Sequence, residues 1–245
     1  MDLDSSDAVM RPFGDAEDLD LDFSQADRPA LVTAVLVHCG ERRDPGFWWA
    51  QPVSARTAAL LRLVALTEQR EEIALSGRCT AACGESFEFR LPLRSLPTGE
   101  ARGPLEVRLD QDRALTMRRP TGEDLRRWRH AQPASRVEAL RLMLDSLVLA
   151  GHAEPDDEAI LSASIDAMDP LVDFTVSCHC PACGAPNEVV VDLESLALAS
   201  LANRQRALFH EVHRFASYYG WTESEVLAVP PTRRARYLAL IEDQR

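Results

Sequence analysis

A short cysteine-containing phrase occurs twice in this chain, at positions one hundred residues apart. The first copy, CGESFEFRLPLRSL, begins at Cys83, and the second, CGAPNEVVVDLESL, begins at Cys183. The copies share six of fourteen residues, and each follows a further cysteine, Cys79 in the first copy and Cys180 in the second. Two such pairs supply the four thiolates that a tetrahedral zinc ion prefers. The repeat therefore predicts a zinc-ribbon site divided between two distant segments.

Each turn that runs from the first cysteine of a pair to the glycine after the second, called a knuckle below, is followed by a predicted β-strand. The glycine after the second cysteine suits a turn that needs positive φ. Beyond it, apolar residues alternate along the chain, as expected of a strand. These residues are Phe87, Phe89 and Leu91 in the first copy and Val189, Val191 and Leu193 in the second. We expect the knuckles to meet, with their strands in adjacent β elements and with one structural Zn²⁺ held by Cys79, Cys83, Cys180 and Cys183.

Two features of the cysteine pattern leave alternatives open. Three residues separate Cys79 from Cys83, whereas two separate Cys180 from Cys183, so the first knuckle departs from the common spacing. The pairs could instead form a redox dithiol, or be a metal-free relic with small buried side chains. Cys178 is a possible alternate ligand, although Cys180 has the tighter spacing, and an extended strand would point His179 away from both. Cys39, after a mostly apolar run, is predicted to be a buried or free thiol.

Composition limits the cellular setting. A chain of 245 residues with 46% hydrophobic content can bury a substantial core. The sequence has no apolar run of membrane-spanning length, and its N-terminus is acidic where a secretory signal would be basic and then apolar. Six cysteines in ligand-like pairs fit a reducing compartment. We therefore expect a cytoplasmic protein that contacts no membrane.

Charge further restricts the partners. The net charge of −12 argues against nonspecific nucleic-acid binding. Residues 1–28 contain nine acidic and two basic side chains, which predicts a disordered acidic arm that acts as a docking tail or a solubilising tail.

The remaining residues, 29–245, are predicted to form one α+β domain with a split zinc-ribbon-like β core flanked by helices. A helical lead-in over 29–70 precedes the first knuckle and a hairpin at 71–119. A helical insertion follows at 120–170, then the second knuckle at 171–196 and a helical tail at 197–245. Ser54, Thr121, Ser135 and Thr222 are predicted helix caps, the last three with an acid three residues later. The helix after Ser135 is predicted to end at Gly151.

The sequence provides little support for an enzyme. His210 and His213 lie three residues apart, whereas the zinc-protease motif requires four, so a packed or solvent-facing pair is expected. A phosphate-binding glycine loop, a nucleophile elbow and a catalytic carboxylate pair are absent from the sequence. Two arginine clusters, at 126–129 and 233–236, are most simply solvated helix faces, and each could also seat a carboxylate-rich partner or nucleic acid.

The second half of the chain resembles a known family. After the CPxCG knuckle comes EVHRFAxxYGWTExEVLxV, from Glu211 to Val229, and then RRxRYL, from Arg233 to Leu238. With RPTGEDL at 119–125 and DPLVD at 169–173, this order resembles the baseplate hub assembly family of T-even-type contractile phages, in the form found in bacterial contractile injection system clusters. The resemblance covers about residues 50–243.

The resemblance implies a non-enzymatic assembly factor, or a minor hub component, that binds other baseplate or hub proteins. Whether such a protein stays in the finished particle is left open. The candidate partner-binding residues are Trp221, Arg233, Arg234, Arg236 and Tyr237. The alternatives from other classes are a zinc-ribbon nucleic-acid-binding regulator, which would need a strongly basic face, and a thiol redox enzyme, which would need exposed low-pKa thiols at Cys180 and Cys183.

Overall fold

A computed structural model describes residues 9–81, 83–93, 96, 103–110 and 112–243. Their helices are α1 (Arg28–Cys39), α2 (Pro45–Ala50), α3 (Val53–Glu68), α4 (Gly122–Ala131), α5 (Arg136–Leu147), α6 (Glu158–Met168), α7 (Leu193–Tyr219), α8 (Glu223–Ala228) and α9 (Pro231–Glu242). Their strands are β1 (Glu72–Arg78), β2 (Ser86–Pro92), β3 (Leu105–Arg108), β4 (Ala114–Met117), β5 (Val148–Ala150), β6 (Phe174–His179) and β7 (Pro186–Val191). The prediction of a mixed helix and strand fold is confirmed.

The two knuckles are the turns of two antiparallel hairpins. Strand β1 pairs with β2 from Glu72 opposite Pro92 to Arg78 opposite Ser86, and β6 pairs with β7 from Phe174 opposite Val191 to His179 opposite Pro186. Each hairpin is a separate two-stranded sheet. The hairpins pack closely, because a Cβ added at Gly77 would lie 3.1 Å from Cγ2 of Val189. The strand predicted after each knuckle is therefore present, and it pairs with a strand that precedes the knuckle.

The larger apolar core lies between the helices and the hairpins. Helix α3 packs along α7, and α1 packs on α3. Leu60, Leu201 and Leu208 are almost completely buried there. Although α7 spans 27 residues, none of the helices in the described residues combines the length and apolar content that crossing a membrane requires. Helix α7 contacts α3, α8 and α9, and it is therefore the central helix of this part of the fold.

A second, smaller core holds the region between the hairpins. Strands β3, β4 and β5 form a three-stranded sheet in that order. Leu115 and Met117 of β4 are buried in this core together with Leu161 of α6. The helix that begins after Ser135 ends at Leu147, so its predicted continuation to Gly151 is wrong. The chain instead enters β5, whose pairing with β4 provides backbone hydrogen bonds for this segment. Residues 120–170, predicted as a helical insertion, thus also contribute a strand.

The predicted helix caps have mixed outcomes. The side chains of Thr121, Ser135 and Thr222 accept hydrogen bonds from the third residue of their helices, as expected. Ser54 does not cap α3, which begins at Val53 after Pro52, and the Ser54 side chain is buried. Its backbone N–H instead lies 3.4 Å from an Oδ2 of Asp169, a buried carboxylate whose pKa is raised by burial. A residue 115 positions away therefore contacts the start of this helix.

A buried arginine joins the first three helices. Arg56 has no exposed surface, and its guanidinium donates to the backbone oxygens of Trp48 and Pro29 and to Oγ1 of Thr33, at 2.8–2.9 Å. Burial lowers its pKa to about 10, so the group is cationic at neutral pH. Its positive charge is stabilised by these three acceptors and by the carboxylate of Glu194, which acts to raise the pKa, and the acceptors tie α3 to α1 and α2.

The prediction of a disordered N-terminal arm is wrong for residues 9–28, whereas residues 1–8 lie outside the described residues. Met10, Phe13, Leu19 and Leu21 are buried in the larger core. The side-chain amide of Gln205 donates to the backbone oxygens of residues 18, 19 and 21 at 2.8–3.1 Å, which fastens the segment to α7. The prediction of disorder was based on the many acidic residues of this segment and gave no weight to its four buried apolar residues.

One of the acidic residues of this segment is itself part of the core. Asp18 has no exposed surface and accepts two hydrogen bonds of 2.7 Å from Arg11, together with bonds from the backbone N–H groups of Gly14 and Asp15. Burial alone would raise the pKa of Asp18, but these donors outweigh that effect and hold it below the usual range. The ionised carboxylate therefore stabilises the folded segment.

We predict that Gly122→Ala destabilises the protein by about 1–3 kcal/mol, since the new Cβ would lie 2.0 Å from Nη1 of Arg56 and would displace the guanidinium. Helix propensity alone would favour alanine at this first position of α4. Chemical denaturation measures the free energy of unfolding. The control is Gly46→Ala in the first turn of α2, where the nearest atom belongs to an exposed Asp44 side chain. Equal stability of the two variants would contradict the role assigned to Arg56.

We predict that Asp18→Asn lowers the free energy of unfolding at neutral pH by about 2 kcal/mol, because it breaks a buried ion pair. In the wild type, the Asp18 carboxylate contributes to the free energy of unfolding in full above its unfolded-state pKa of 3.8. This contribution is lost as the pH falls through its lower folded-state pKa. The difference between variant and wild type should therefore shrink in acid. Denaturation curves over a pH series test this, with the exposed Asp20→Asn as control. A difference that does not depend on pH would refute it.

Candidate metal centre

The four predicted cysteines converge at the contact between the two knuckles. Cys79 follows β1, Cys180 follows β6, and their partners Cys83 and Cys183 lie at the tips of the turns. The Sγ–Sγ distances are 3.7 Å for Cys79–Cys183, 3.7 Å for Cys83–Cys180 and 3.4 Å for Cys83–Cys183. All four sulfurs lie within 4.8 Å of one another. The sequence prediction that these four residues form one site is confirmed at the level of a cluster able to hold a metal ion.

The spacing of the sulfurs suits tetrahedral thiolate coordination. A metal–sulfur distance of about 2.3 Å in a regular tetrahedron places neighbouring sulfurs about 3.8 Å apart. A disulfide would require about 2.05 Å, which is much shorter than the observed separations of 3.4–3.7 Å. The arrangement therefore matches four ligands around one ion better than two oxidised pairs.

The two knuckles share two backbone features despite their unequal lengths. Each first cysteine donates its N–H across the turn, Cys79 to the oxygen of Glu85 at 2.8 Å and Cys180 to the oxygen of Ala185 at 2.9 Å. The glycines have φ of 60° at Gly84 and 72° at Gly184, which only glycine adopts without strain. The additional residue of the first knuckle is accommodated between its cysteines, so it does not separate the sulfurs.

The thiols have unequal environments. Cys79 and Cys180 are buried, whereas Cys83 and Cys183 are exposed. Burial acts to raise the pKa of Cys79, but hydrogen bonds from neighbouring thiols lower it to about 7. For Cys83, the Glu85 backbone lowers the pKa, and hydrogen bonding to Cys79 and Cys183 outweighs this and raises it to about 12. One thiolate is thus favoured by the cluster, and a second is disfavoured until a cation balances the charge.

Asn187 connects the second knuckle to the first. The side chain is buried, and its Nδ2 lies 3.7 Å from Sγ of Cys79 and donates to the oxygen of Ala185 at 2.9 Å. Its Oδ1 accepts from the backbone N–H of Thr80 at 2.8 Å and from the Thr80 hydroxyl at 3.1 Å. Asn187 therefore orients a ligand sulfur and aligns both turns. Phe87 holds the corresponding position in the first copy and is also buried.

The remaining thiols and histidines of the described residues lie outside this cluster. Cys178, the predicted alternate ligand, is half-buried within β6 and is not among the four clustered sulfurs, while His179 is exposed. Cys39 is buried as expected, and burial next to Asp18 raises its pKa to about 12. His210 and His213 face solvent on α7. These positions contribute no further ligand to the site.

The predicted partner-binding residues lie in two different environments. Trp221 and Tyr237 are half-buried, and Arg233 and Arg236 are exposed on α9. Arg234 is 3% exposed, so its prediction as a partner-binding residue is wrong. Its guanidinium donates to Glu211 on α7 at 2.8 Å and to the backbone oxygen of Val229 at 3.0 Å. Arg234 is therefore an internal tie between α7 and α9.

The other arginine cluster is engaged with its surroundings. Arg126 pairs with Glu123 at 2.7 Å and lies over the ring of Trp49, and Arg129 is 3.8 Å from Asp27. These contacts neutralise much of the local positive charge, as expected for a solvated helix face.

Sequence reasoning missed Asn187 and Arg56, because a lone polar residue carries no pattern. The only signal for Asn187 is its place in the repeat, where a polar side chain occupies a position that the first copy fills with Phe87. Arg56 lies within an apolar helix, where no sequence pattern distinguishes it.

Comparison with protein-family models, curated proteins and solved structures finds no match to this chain.

We predict that Asn187→Ala weakens metal binding by about 10- to 100-fold, because it removes the side chain that orients Cys79 and Thr80. Cobalt(II), whose thiolate complexes absorb visible light, can be titrated into metal-free protein and competed with a chelator. The control is Glu188→Ala, an exposed change at the next position of the same strand. Equal affinities for the two variants would show that Asn187 does not support the site.

Proposed function

We propose that this protein is a non-enzymatic assembly factor or minor component of the baseplate hub of a contractile phage tail-like particle, as in a bacterial contractile injection system. It acts by binding other baseplate or hub proteins and is stabilised by one structural zinc ion. The observation that carries the proposal is the stretch from Glu211 to Leu238, whose motif resembles the baseplate hub assembly family and whose residues pack as one unit.

The motif residues contact one another across α7, α9 and the turn that follows α7. Phe215 is completely buried, and its ring stacks on Trp221 at 5.4 Å and meets Tyr237 edge-on at 6.1 Å. The Glu211–Arg234 pair joins α7 to α9 on the same unit. Contacts between residues that are far apart in the chain join this stretch into one packed unit. The packing supports a shared architectural role for this stretch.

The choice of zinc follows from the ligands. Four thiolates in a closed tetrahedral cluster favour zinc among the common ions of a reducing compartment, and leave no open position for a substrate or water. Such a site suits a structural role. Zinc bound in this way contributes on the order of 10 kcal/mol to folding in small zinc domains. A cytoplasmic site of action is proposed with the same function.

The zinc assignment predicts one equivalent of zinc in protein purified without added metal, measured by elemental analysis. Cys180→Ser should lose most of the metal and unfold or aggregate, because a buried ligand is removed. Cys178→Ser provides the control, since this thiol lies outside the cluster. A stably folded wild-type protein with almost no zinc would overturn the assignment.

The assembly function predicts that deletion of the gene abolishes sheathed particles while the sheath and tube proteins are still produced. Electron microscopy and immunoblotting of the two strains measure this. Restoring the wild-type gene or the Cys178→Ser variant should recover particles, whereas Cys180→Ser should not. Mass spectrometry of purified particles then shows whether the protein is still present, as a permanent component would be, or absent, as an assembly factor that dissociates would be. Normal particles in the deletion strain would refute the proposal.

A further inference from the structure

The end of the molecule formed by α7, α8 and α9 has an aromatic cluster that is partly exposed. The ring of Trp221 lies 5.5 Å from that of Tyr219 and 5.4 Å from that of Tyr237, and all three surround the buried Phe215. Tyr219 is 39% exposed, and Tyr218 beside it is 44% exposed. Exposed tyrosine and tryptophan held rigidly by a buried neighbour supply large contact area at low entropic cost.

One face of α9 extends this aromatic surface. Arg233, Tyr237 and Leu240 are spaced by four and three residues, so they lie along the same side of the helix. Arg236 lies beside Tyr237 and one turn before Leu240, which is 51% exposed. We call Trp221, Arg233, Arg236, Tyr237 and Leu240 the α9 surface. It combines aromatic, aliphatic and guanidinium groups, the composition enriched at the centres of protein interfaces.

The charges of the α9 surface are unbalanced. Within the described part of the chain, neither Arg233 nor Arg236 has a carboxylate within 4.0 Å, whereas Arg214 and Arg234 on the neighbouring faces are paired with Glu242 and Glu211. The chain contains 39 acidic residues against 27 basic ones. Acidic residues are therefore in excess, yet Arg233 and Arg236 have no acidic partner among the described residues.

The start of α9 adds to this imbalance. The helix has no side-chain cap after Pro230 and no acidic residue in its first turn, which contains Arg233. Because the N-terminal end of a helix is partially positive, an arginine there is repelled and an anion is attracted. A carboxylate from outside the described residues would relieve this repulsion.

We propose that the α9 surface binds an acidic segment of a partner protein, with carboxylates paired to Arg233 and Arg236 and an apolar side chain packed on Tyr237 and Leu240. Guanidinium groups bind carboxylates through paired, charge-assisted hydrogen bonds, which would give the contact its orientation. Nucleic acid is disfavoured, since two cations on a chain of net charge −12 offer few phosphate contacts. The inference rests on the proposed function only in that the protein acts by binding another protein.

Selection of displayed random short peptides on the immobilised full-length protein tests the proposal. The enriched peptides should be acidic and contain an aromatic or leucine residue. The double substitution Arg233→Glu/Arg236→Glu should weaken their binding about 10- to 100-fold and should shift a new selection toward basic peptides. A matched reversal on α5, Arg136→Glu/Arg141→Glu, changes the net charge equally at exposed positions and should leave binding unchanged.

Several results would overturn the proposal. Failure to enrich peptides, enrichment of neutral or basic sequences, or equal losses in both reversed variants would each exclude this surface as an acidic-segment site. Salt-sensitive retention of a single-stranded DNA oligonucleotide that is abolished only by the α9 reversal would assign the surface to nucleic acid instead. If the reversed variant proves unstable on heating, Arg233→Gln/Arg236→Gln supports the same affinity comparison. Particle assembly is scored separately, so failure here is distinguishable from failure of the baseplate function.

Discussion

The contact between the two knuckles closes a loop of about one hundred residues, from Cys79 to Cys183. Closing a loop of that length costs conformational entropy on folding, which the contacts between the hairpins must offset. Everything in the smaller core, from β3 to α6, lies within this loop. Beside the cluster, the hairpins contact each other through Gly77, Phe87 and Val189, and both contribute residues to the larger core. The two ends of this loop therefore meet at four sulfur atoms that could hold a metal ion.

Much of the fold and of the site was accessible from sequence because the relevant signals are local or repeated. Alternating apolar residues and a duplicated Cys-Gly phrase located both hairpins and all four clustered cysteines. The capping residues Thr121 and Thr222 marked helix starts to within a residue, since a cap and its helix are separated by a single turn. The three-residue spacing of the first knuckle had no effect on the clustering, since a turn can absorb one residue while its two ends stay fixed by the hairpin.

The errors concern residues whose environment is set by distant parts of the chain. Composition predicted disorder for residues 9–28, whereas Asp18 is neutralised by Arg11 and the segment is bound by Gln205 on α7. Arg234 was treated as a surface residue and Arg56 was not singled out, yet both are buried because acceptors from other helices surround them. Asn187 was missed for the same reason, since its partner Thr80 is 107 positions away. The composition of a segment does not reveal which counter-charges the fold will bring to it.

Because the four thiols are unequally buried, the cluster is accessible to solvent from one side only. Cys83 and Cys183 face solvent, while Cys79 and Cys180 lie beneath them against Phe87. A competing ligand, such as a small thiol or a chelator, can approach an ion in this cluster only from the side of the exposed pair. Exchange of the ion would therefore begin by detachment from the loop tips, with the buried pair released last. The lifetime of the bound ion would be governed by the motion of those two tips rather than by unfolding of the hairpins.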